Sequence, residues 1–324
     1  MVKNMMRKTL VALVATMFIS TNTALLLGVE THIDQNIKTS ELTNNFYFIQ
    51  LTDTHVMNKM FDRNEVDKNR LQTVLTHITY FTRKPAFVVV TGDLVEWGSG
   101  LGGALNYRAF KECFYEKDDQ LYVDPDYTIP VYTTPGNHDY FWSRTLLNYH
   151  RFVDHNHIKE NDRYTVTFGD TTLFFLDSGH NEINYEAKPM DWIYALGSGL
   201  SVRDLEWLDE SLNSCTSRHK IVLMHHPAVN WGRYDVISHN RQSFISICEG
   251  YNVDLVLAGH THAARVFESN GAFYPNDVLP LNCSLYPTLY VQTDAIKEGY
   301  YYRNITISGN DVWLGACEQC CETN

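Results

Sequence analysis

Five short stretches of the sequence place metal-binding types of side chain directly after an apolar run. In chain order they are Asp53-x-His55, Gly92-Asp93, Gly136-Asn137-His138-Asp139, His225-x-Pro227 and Gly259-His260-x-His262. Their potential ligands are carboxylates, imidazoles and an amide, with no thiolate. Such a mixed set suits Mn, Fe, Zn or Co rather than a structural zinc site built from cysteines. The sequence therefore predicts a transition-metal site.

The stretch from Gly136 to Asp139 combines three different functional groups on one turn. An amide oxygen is a neutral metal ligand, a histidine can move protons near neutral pH, and an aspartate can fix the orientation of that histidine. Glycine and asparagine are also ordinary turn residues, so this stretch taken alone is equally consistent with a polar turn. The four other stretches make it part of a site.

An apolar run that is typical of a buried β-strand precedes each stretch. These runs cover residues 46–51, 87–90, 129–132, 220–224 and 253–258. Helical spacing of apolar residues over 64–81 separates the first two runs, which makes a β-α-β unit. Because ligands bind at the carboxyl ends of strands in such sheets, we expect the five stretches to meet at one edge. Further short runs over 289–314 are expected to complete a second sheet as antiparallel strands.

The spacing within each stretch indicates which side chains can share an ion. Asp53 and His55 lie two residues apart past a strand, so both point to the same side. His225 and His226 are adjacent in an extended segment, so at most one of them is expected to face a given ion. The whole set is too long for one ion, whereas two ions roughly 3.5–4 Å apart that share a carboxylate would use it fully. Metals paired at that distance serve in-line phosphoryl displacement.

As an ordered set, the five stretches resemble the signature of the calcineurin-like metallophosphoesterases, over roughly residues 45–315. The resemblance implies an α/β fold, a four-layer α/β/β/α sandwich of two mixed sheets flanked by helices, with the metal site at the carboxyl ends of the strands. It also implies two divalent or transition metal ions that share Asp93. The first ion would be held by Asp53, His55, Asp93 and His262, and the second by Asp93, Asn137, His225 and His260.

The reaction that the resemblance implies is hydrolysis of a small phosphodiester or phosphomonoester by a hydroxide that bridges the two metals. His138 would stabilise the transition state and protonate the leaving group, and Asp139 would orient the His138 ring. The alternative is a non-catalytic metal-binding interaction module on the same fold. The presence of the full ligand set together with His138 favours the enzyme.

Differences between this sequence and two other branches of the superfamily indicate which branch it resembles. Protein Ser/Thr phosphatases continue the Gly-Asp motif with Asp-Arg-Gly and have Glu after the Asn-His pair, whereas this sequence has Glu-Trp-Gly at 96–98 and Asp139. Purple acid phosphatases place a metal-bound tyrosine three residues after the bridging aspartate, where this sequence has Glu96. The pattern most resembles the cyclic-nucleotide and glycerophosphodiester phosphodiesterase branch, and it does not specify a substrate.

Composition and the N-terminal segment indicate partners and location. The chain of 324 residues is 44% hydrophobic, ample for a packed core, and its formal net charge of -12 argues against binding of a nucleic-acid polymer. Residues 1–28 combine Lys3, Arg7 and Lys8 with an apolar run over 10–19, which is typical of a signal peptide. We expect a secreted or extracytoplasmic protein, in contact with a membrane only if this segment remains as an uncleaved anchor. The sequons at Asn282 and Asn304 would then be candidate glycosylation sites.

Other stretches resemble functional motifs without their full pattern. Residues 97–103 are glycine-rich but lack the P-loop pattern, so we expect a mobile loop beside the site. The two histidines within 154–157 follow no strand and are expected in a solvated loop. The Cys-rich tail, residues 316–324, lacks a second ligand pair for a zinc knuckle. Aromatic side chains that could set substrate specificity lie in 97–103, 140–142 and 180–200 and at Trp231.

Overall fold

The fold is taken from a computed structural model, which describes residues 45–126, 128–141, 145–153, 163–179, 198–231 and 236–320. The predicted signal segment 1–28, the histidines within 154–157 and nearly all of the segment 180–200 lie outside these residues, as do Trp142 and Cys321. Within the described residues, no helix is both long enough and apolar enough to cross a membrane.

Two sheets form the centre of the described fold, and the first contains parallel and antiparallel pairs. Its strands, numbered in chain order and given in their order along the sheet, are β12 (Leu281–Asn282), β15 (Asp311–Gln319), β14 (Tyr301–Ser308), β1 (Asn45–Leu51), β2 (Val88–Thr91), β5 (Pro130–Thr134), β4 (Gln120–Tyr122) and β3 (Tyr115–Lys117). β1, β2 and β5 run parallel, while β14 pairs antiparallel with β1. The carboxyl ends of β1, β2 and β5 therefore lie at one edge.

The second sheet is also mixed. Its strands, in order along the sheet, are β11 (Phe273–Tyr274), β10 (Arg265–Glu268), β13 (Leu289–Gln292), β9 (Leu255–Ala258), β8 (His219–Leu223), β7 (Thr171–Leu176) and β6 (Arg163–Phe168). β7, β8, β9 and β13 are parallel. Gln50 of β1 donates a hydrogen bond to Ala258 O at the end of β9, at 3.0 Å. The carboxyl ends of the parallel strands in both sheets thus lie at the same edge of the molecule.

Helices cover the outer face of each sheet. The first sheet packs against α1 (Val66–Thr79), α2 (Gly100–Lys111), the single-turn α3 (Asn137–Tyr140) and α4 (Leu147–Phe152). The second sheet packs against α5 (Val202–Ser214) and α6 (Arg241–Gly250). The inner faces of the two sheets meet in an apolar cluster that includes Phe48, Phe87, Phe175 and Leu223. This arrangement confirms the predicted four-layer sandwich of two mixed sheets flanked by helices.

Strand β2 shows why a continuous apolar run is needed between two layers. Val88 and Val90 pack with the helices, Val89 packs into the cluster between the sheets, and all three are fully buried. Successive side chains of a strand point to opposite faces, so a strand covered on both faces needs an apolar residue at every position. Full burial of each valine side chain contributes about 1.5 kcal/mol or more.

The glycine-rich stretch 97–103 is a loop only up to residue 99, because residues 100–103 form the first turn of α2, which the sequence did not predict. A Cβ on Gly103 would lie 2.2 Å from the carbonyl carbon of Gly98, so a glycine is needed for the helix to pack this closely on the preceding loop. Asn106 of α2 strengthens the same contact, because its Nδ2 donates to Trp97 O at 3.2 Å. Gly103 therefore serves close packing of the helix on the loop.

The strands near the C-terminus divide between the two sheets, whereas we predicted that they all complete the second. β13 joins the second sheet and lies parallel to β9. β14 and β15 form a hairpin beside β1 in the first sheet. Because β15 continues to Gln319, Cys317 lies within the sheet opposite Arg303 and not in a separate tail.

Candidate active site

The loops after five strands meet at one edge of the sandwich, as the strand pattern predicts. They follow β1, β2, β5, β8 and β9 and carry all seven predicted metal ligands. Within each sheet the loops are joined by backbone hydrogen bonds, from Asp53 N to Gly92 O at 3.1 Å and from Gly259 N to His225 O at 2.9 Å. Between the sheets, His260 N donates to Asp53 Oδ2 at 2.9 Å.

Five of the seven predicted ligands take a left-handed backbone conformation. Their φ values are 51° for Asp53, 46° for His55, 50° for Asp93, 69° for His260 and 47° for His262. Positive φ is uncommon for residues other than glycine, and such residues cluster at functional sites, where the surrounding structure holds them. The turns after β1, β2 and β9 are therefore shaped around these side chains.

Asp53 lies at the bottom of the site and is fully buried. Its Oδ2 accepts hydrogen bonds from Thr52 Oγ1 at 2.7 Å and from His260 N at 2.9 Å. Its Oδ1 has no hydrogen-bond partner in the described part of the chain and lies 3.3 Å from His262 Nε2 and 3.9 Å from His225 Nε2. One carboxylate oxygen thus holds the loops together, and the other faces the histidines.

Asp93 lies between the two sets of histidines. Its Oδ1 accepts a hydrogen bond from His138 N at 2.8 Å, and its Oδ2 lies 3.2 Å from His225 Nε2 and 3.6 Å from His55 Nε2. Burial alone would raise the pKa of Asp93, but the positive charges of His225, His138 and His55 outweigh burial and hold the pKa below its usual range. An ionised carboxylate between two groups of histidines is suited to bridge two ions.

His225 and Asn137 form the side of the site that belongs to the second predicted ion. The Nδ1–H of His225 donates to Thr91 O at 2.9 Å, which leaves Nε2 to face the site. That Nε2 lies 3.1 Å from Asn137 Oδ1. Burial lowers the pKa of His225, but the charges of Asp93 and Asp53 outweigh it and raise the pKa to about 9.

His226 also belongs to this region, although we expected at most one of the two adjacent histidines to face a given ion. Potential ligand atoms of His225, His226 and His260 all lie within 4.8 Å of one another. His226 Nδ1 lies 3.1 Å from Ser178 Oγ, while its Nε2 is buried and has no hydrogen-bond partner among the residues that the structure describes. The sequence signal was present in the His-His-Pro stretch, but an ideal extended backbone does not predict that both rings approach His260.

His55 and His262 form the other side, and a carboxylate lies behind each ring. His55 Nδ1 is 2.9 Å from Glu96 Oε2, and His262 Nδ1 is 3.2 Å from Glu298 Oε1. Within the described residues, the Nε2 of His55 is buried without a hydrogen-bond partner. Burial lowers the pKa of His55, but the neighbouring carboxylates of Asp53 and Glu96 outweigh burial and raise it to about 10. Neither glutamate was predicted as part of the site.

His138 is held with one ring nitrogen towards the protein and one towards the site. Its Nδ1 lies 2.6 Å from the carbonyl oxygen of Glu96, so Nδ1 carries the donated proton and Nε2 remains for chemistry. The ring stacks on Phe141 with centroids 5.8 Å apart at 9°. Its centroid is 4.5 Å from that of His55.

Asp139 does not make the predicted contact with the His138 ring. Its Oδ2 accepts hydrogen bonds from Gly136 N at 2.8 Å and Leu94 N at 3.3 Å, and its Oδ1 accepts one from Tyr107 Oη at 2.7 Å. Consecutive residues of a helical turn point about 100° apart, so Asp139 faces α2 when His138 faces the site. Burial, and next the charge of Asp93, raise the pKa of Asp139 to about 7. Asp139 holds the turn in shape, and the Glu96 carbonyl orients the ring.

The donor set fits metal ions. Among the described residues, Asp53 Oδ1, His55 Nε2 and His226 Nε2 are buried side-chain atoms of this edge without a hydrogen-bond partner. Four overlapping groups of ligand atoms lie within 4.8 Å, namely His225–His226–His260, Asp53–His55–His262, His55–Asp93–His138 and Asp53–Asp93–His225. Two atoms that each lie roughly 2.1 Å from one ion are about 3.0–3.4 Å apart. The observed nitrogen–oxygen separations of 3.2–3.9 Å are close to this range.

Comparison with known families decides the assignment. Calcineurin-like phosphoesterase is the family that matches this chain, over residues 46–264. The chain belongs to the calcineurin-like phosphoesterase family. Its membership makes it a metal-dependent hydrolase of phosphoric esters, and the matched residues include every predicted metal ligand.

Two named proteins, a probable phosphodiesterase and a purple acid phosphatase, are similar to this chain in sequence. The chain is 28% identical over 224 residues to the probable glycerophosphodiester phosphodiesterase GpdQ of Arcobacter nitrofigilis, which covers 66% of this chain and 71% of that protein. It is 27% identical over 191 residues to purple acid phosphatase 3 of Arabidopsis thaliana, which covers 56% of this chain and 50% of that protein. A solved purple acid phosphatase from yellow lupin (Lupinus luteus) seeds shares the fold, with a TM-score of 0.53 at 13% identity over 85% of this chain and 53% of that one.

Proposed function

We propose that this protein hydrolyses small phosphoesters, with phosphodiesters preferred, using two divalent metal ions. The observation that carries the proposal is the position of Asp93, whose Oδ2 lies between His55 Nε2 at 3.6 Å and His225 Nε2 at 3.2 Å, while its Oδ1 is held by His138 N. The buried and unpartnered Asp53 Oδ1 and His55 Nε2 support it, because such atoms are costly unless a cation satisfies them.

Each ion would have its own set of side chains. One would be held by Asp53, His55, Asp93 and His262, and the other by Asp93, Asn137, His225 and His260. His226 is a further candidate on the second side because its Nε2 faces the same group. When bound, the ions would neutralise the phosphoryl oxygens and lower the pKa of the attacking water.

His138 would protonate the leaving oxygen. The Glu96 carbonyl fixes the proton on Nδ1, so the imidazolium presents its second N–H at Nε2 towards the edge of the site. The Phe141 ring, stacked on His138, restricts rotation of the imidazole. The proton therefore comes from a ring whose position is set before substrate binds.

Three observations bear on the substrate and on the metal centre of this proposal. The relative named as a probable glycerophosphodiester phosphodiesterase aligns over most of its length. Glu96 contacts His55 where purple acid phosphatases have a metal-bound tyrosine, so an iron–tyrosinate centre is not expected. Beside the site, Trp97 packs on Phe61 with centroids 5.0 Å apart, which provides an apolar wall for an alcohol group.

Elemental analysis combined with a chromogenic diester and monoester, each assayed with Mn, Zn, Fe and Co, tests the proposal. We expect close to two ions per chain and faster hydrolysis of the diester. Asn137→Ala should lose one ion and most turnover, whereas His138→Ala should keep both ions and lose about 10²- to 10⁴-fold in turnover. His77→Ala is the matched control, because His77 of α1 packs on Phe81 and Tyr302 away from the site.

A metal-free protein whose diester hydrolysis is unchanged in Asn137→Ala would disprove the proposal. Full retention of activity in His138→Ala would instead remove His138 from the chemistry. Metal binding without any hydrolysis across the panel would indicate the non-catalytic interaction module.

We also propose that the protein is exported, because residues 1–28 have the charged and apolar regions of a signal segment. Mass spectrometry of the protein from a secreting host should find a new N-terminus near residue 28 in the medium. Retention of the intact N-terminus in the membrane fraction would indicate an anchor, and recovery of the intact chain in the cytoplasm would contradict export.

A further inference from the structure

A short segment from Ala295 to Glu298, after β13, lies against the site from behind. It is outside the residues 46–264 that match the family. Ile296 N donates to Thr52 O at 3.1 Å, and Lys297 N donates to Asp53 O at 3.1 Å. The segment is therefore fixed to the backbone of the loop that carries the most deeply buried ligand.

Side chains of this segment contact one of the two histidines that face the first predicted ion directly, and the other through Glu96. Glu298 Oε1 lies 3.2 Å from His262 Nδ1. Lys297 Nζ donates to Glu96 Oε2 at 2.8 Å, and the same Glu96 oxygen lies 2.9 Å from His55 Nδ1. A carboxylate thus lies behind each of these two rings, and a lysine shares the charge of one of them.

An additional contact secures the segment from the helix layer. Arg70 of α1 donates a hydrogen bond to Lys297 O and forms an ion pair with Asp67 at 3.0 Å. Both backbone groups of Lys297 are therefore held. Its N–H donates to Asp53 O, and its carbonyl accepts from Arg70. A side chain with a fixed backbone can hold Glu96 in one place.

The histidine on the other side of the site is supported differently. His225 Nδ1 donates to a neutral backbone carbonyl, Thr91 O, at 2.9 Å. A carboxylate behind an imidazole fixes the tautomer and makes the opposite nitrogen a stronger donor to a metal, whereas a neutral carbonyl does this more weakly. The outer contacts therefore distinguish His55 and His262 from His225.

We propose that Glu96, Lys297 and Glu298 form an outer clamp that sets how tightly His55 and His262 hold their metal ion. Glu96 and Glu298 strengthen the two histidines as ligands, and Lys297 moderates Glu96 by sharing its charge. All three are positioning residues that act through histidines. The proposal rests on the proposed function only in that a metal binds at Asp53, His55 and His262.

Metal affinity measured on the full chain, by competition with a chromogenic chelator for Zn and for Mn, tests the clamp without relying on turnover. Glu96→Gln should weaken binding of the ion held by His55 and His262 by about 10- to 100-fold, and Glu298→Gln should also weaken it. Lys297→Met should tighten it by roughly two- to fivefold, the range of an exposed charge pair. Glu112→Gln is the matched control, because Glu112 also pairs with a lysine, Lys68, at 2.7 Å, and no described histidine pairs with it.

Urea unfolding of the metal-free variants separates positioning from scaffolding. The clamp predicts that Glu96→Gln and Lys297→Met change metal affinity in opposite directions while the metal-free proteins unfold at similar urea concentrations. Equal affinities for the parent and Glu96→Gln would overturn the clamp, and so would a loss of affinity in Lys297→Met. A parent protein that binds no metal would refute the proposed function itself, which is a different result.

Discussion

Replacing Arg303 by lysine should destabilise the whole sandwich although Arg303 is remote from the reacting groups. Arg303 is fully buried in β14, and within the described residues it forms no ion pair. Its Nε donates to Thr293 Oγ1 at 3.0 Å, its Nη1 to Gly315 O at 2.7 Å and its Nη2 to Gln292 O at 3.2 Å. Three nitrogens thus satisfy three acceptors in three directions.

The Thr293 hydroxyl transmits this arrangement to the edge where the two sheets meet. It donates to Gln50 Oε1 at 2.7 Å, and Gln50 Nε2 donates to Thr91 Oγ1 and to Ala258 O, each at 3.0 Å. Lysine carries its three N–H donors on one nitrogen, so it cannot reach acceptors that lie around a whole guanidinium group, and we expect it to satisfy one of the three. A hydrogen bond to a charged group contributes about 1.5–3 kcal/mol, so the loss of two should cost about 3–6 kcal/mol. That is a large part of the roughly 5–15 kcal/mol that stabilises a typical domain.

Urea unfolding followed by fluorescence measures the cost. Thr293→Val, which keeps the side-chain shape and removes the bridging hydroxyl, should cost about 1.5–3 kcal/mol and remains measurable if Arg303→Lys does not fold. Arg218→Lys is the control, because Arg218 is half exposed and its pair with Asp170 at 3.4 Å should contribute less than about 1 kcal/mol. An Arg303→Lys protein that unfolds at the parental urea concentration would refute the reasoning.

Three further predictions concern the turn, a distant histidine and the metals. Asp139→Asn should keep bound metal and most turnover, whereas Asp139→Ala should cost about 2–4 kcal/mol because three donors lose their acceptor. Burial lowers the pKa of His219, but the hydrogen bond and charge of Asp254 raise it above its usual value. The stabilisation that the charged His219 contributes is therefore complete below about pH 6.5 and declines as pH rises through the pKa of the folded protein. His219→Gln should for that reason lower the free energy of unfolding more at pH 6 than at pH 9. Removal of metal by a chelator should lower the melting temperature. A metal ion added at 100 times its Kd should raise the free energy of unfolding by about 2.7 kcal/mol, and by less in Asn137→Ala.

Each of these predictions has a contrary outcome. If Asp139→Asn loses as much turnover as His138→Ala, Asp139 has a role in the reaction after all. A pH-independent cost of His219→Gln would show that folding does not change the pKa of the imidazole, contrary to the expected rise. A melting temperature that changes neither with chelator nor with added metal would contradict metal binding at this site.

The strands and the ligand-bearing loops could be predicted because their patterns are local. The continuous apolar run of β2 and the ligands directly after it are read from neighbouring residues. Strand partners depend on contacts between distant parts of the chain, and alternation alone does not distinguish them. For that reason the sequence predicted β14 as a strand but not its place beside β1 in the first sheet.

The same distinction separates the ligands from their supports. Each predicted ligand follows a strand, so its place at the shared edge follows from topology. Glu96, Lys297 and Glu298 have no such pattern, and only the folded chain brings residues 201 positions apart, such as Glu96 and Lys297, into contact. Adjacency in sequence was misleading for Asp139, because neighbouring residues on a helical turn face different parts of the protein.

The five left-handed residues have a consequence for how this fold can drift over evolutionary time. An L-residue in that conformation is about 1–2 kcal/mol less favourable than in a right-handed one, a cost from which glycine is exempt. Asp53, His55, Asp93, His260 and His262 all carry this cost. A lineage released from the need to bind metal would therefore remove this cost by exchanging the three histidines for glycine, whereas Asp53 and Asp93 also accept hydrogen bonds that hold the loops.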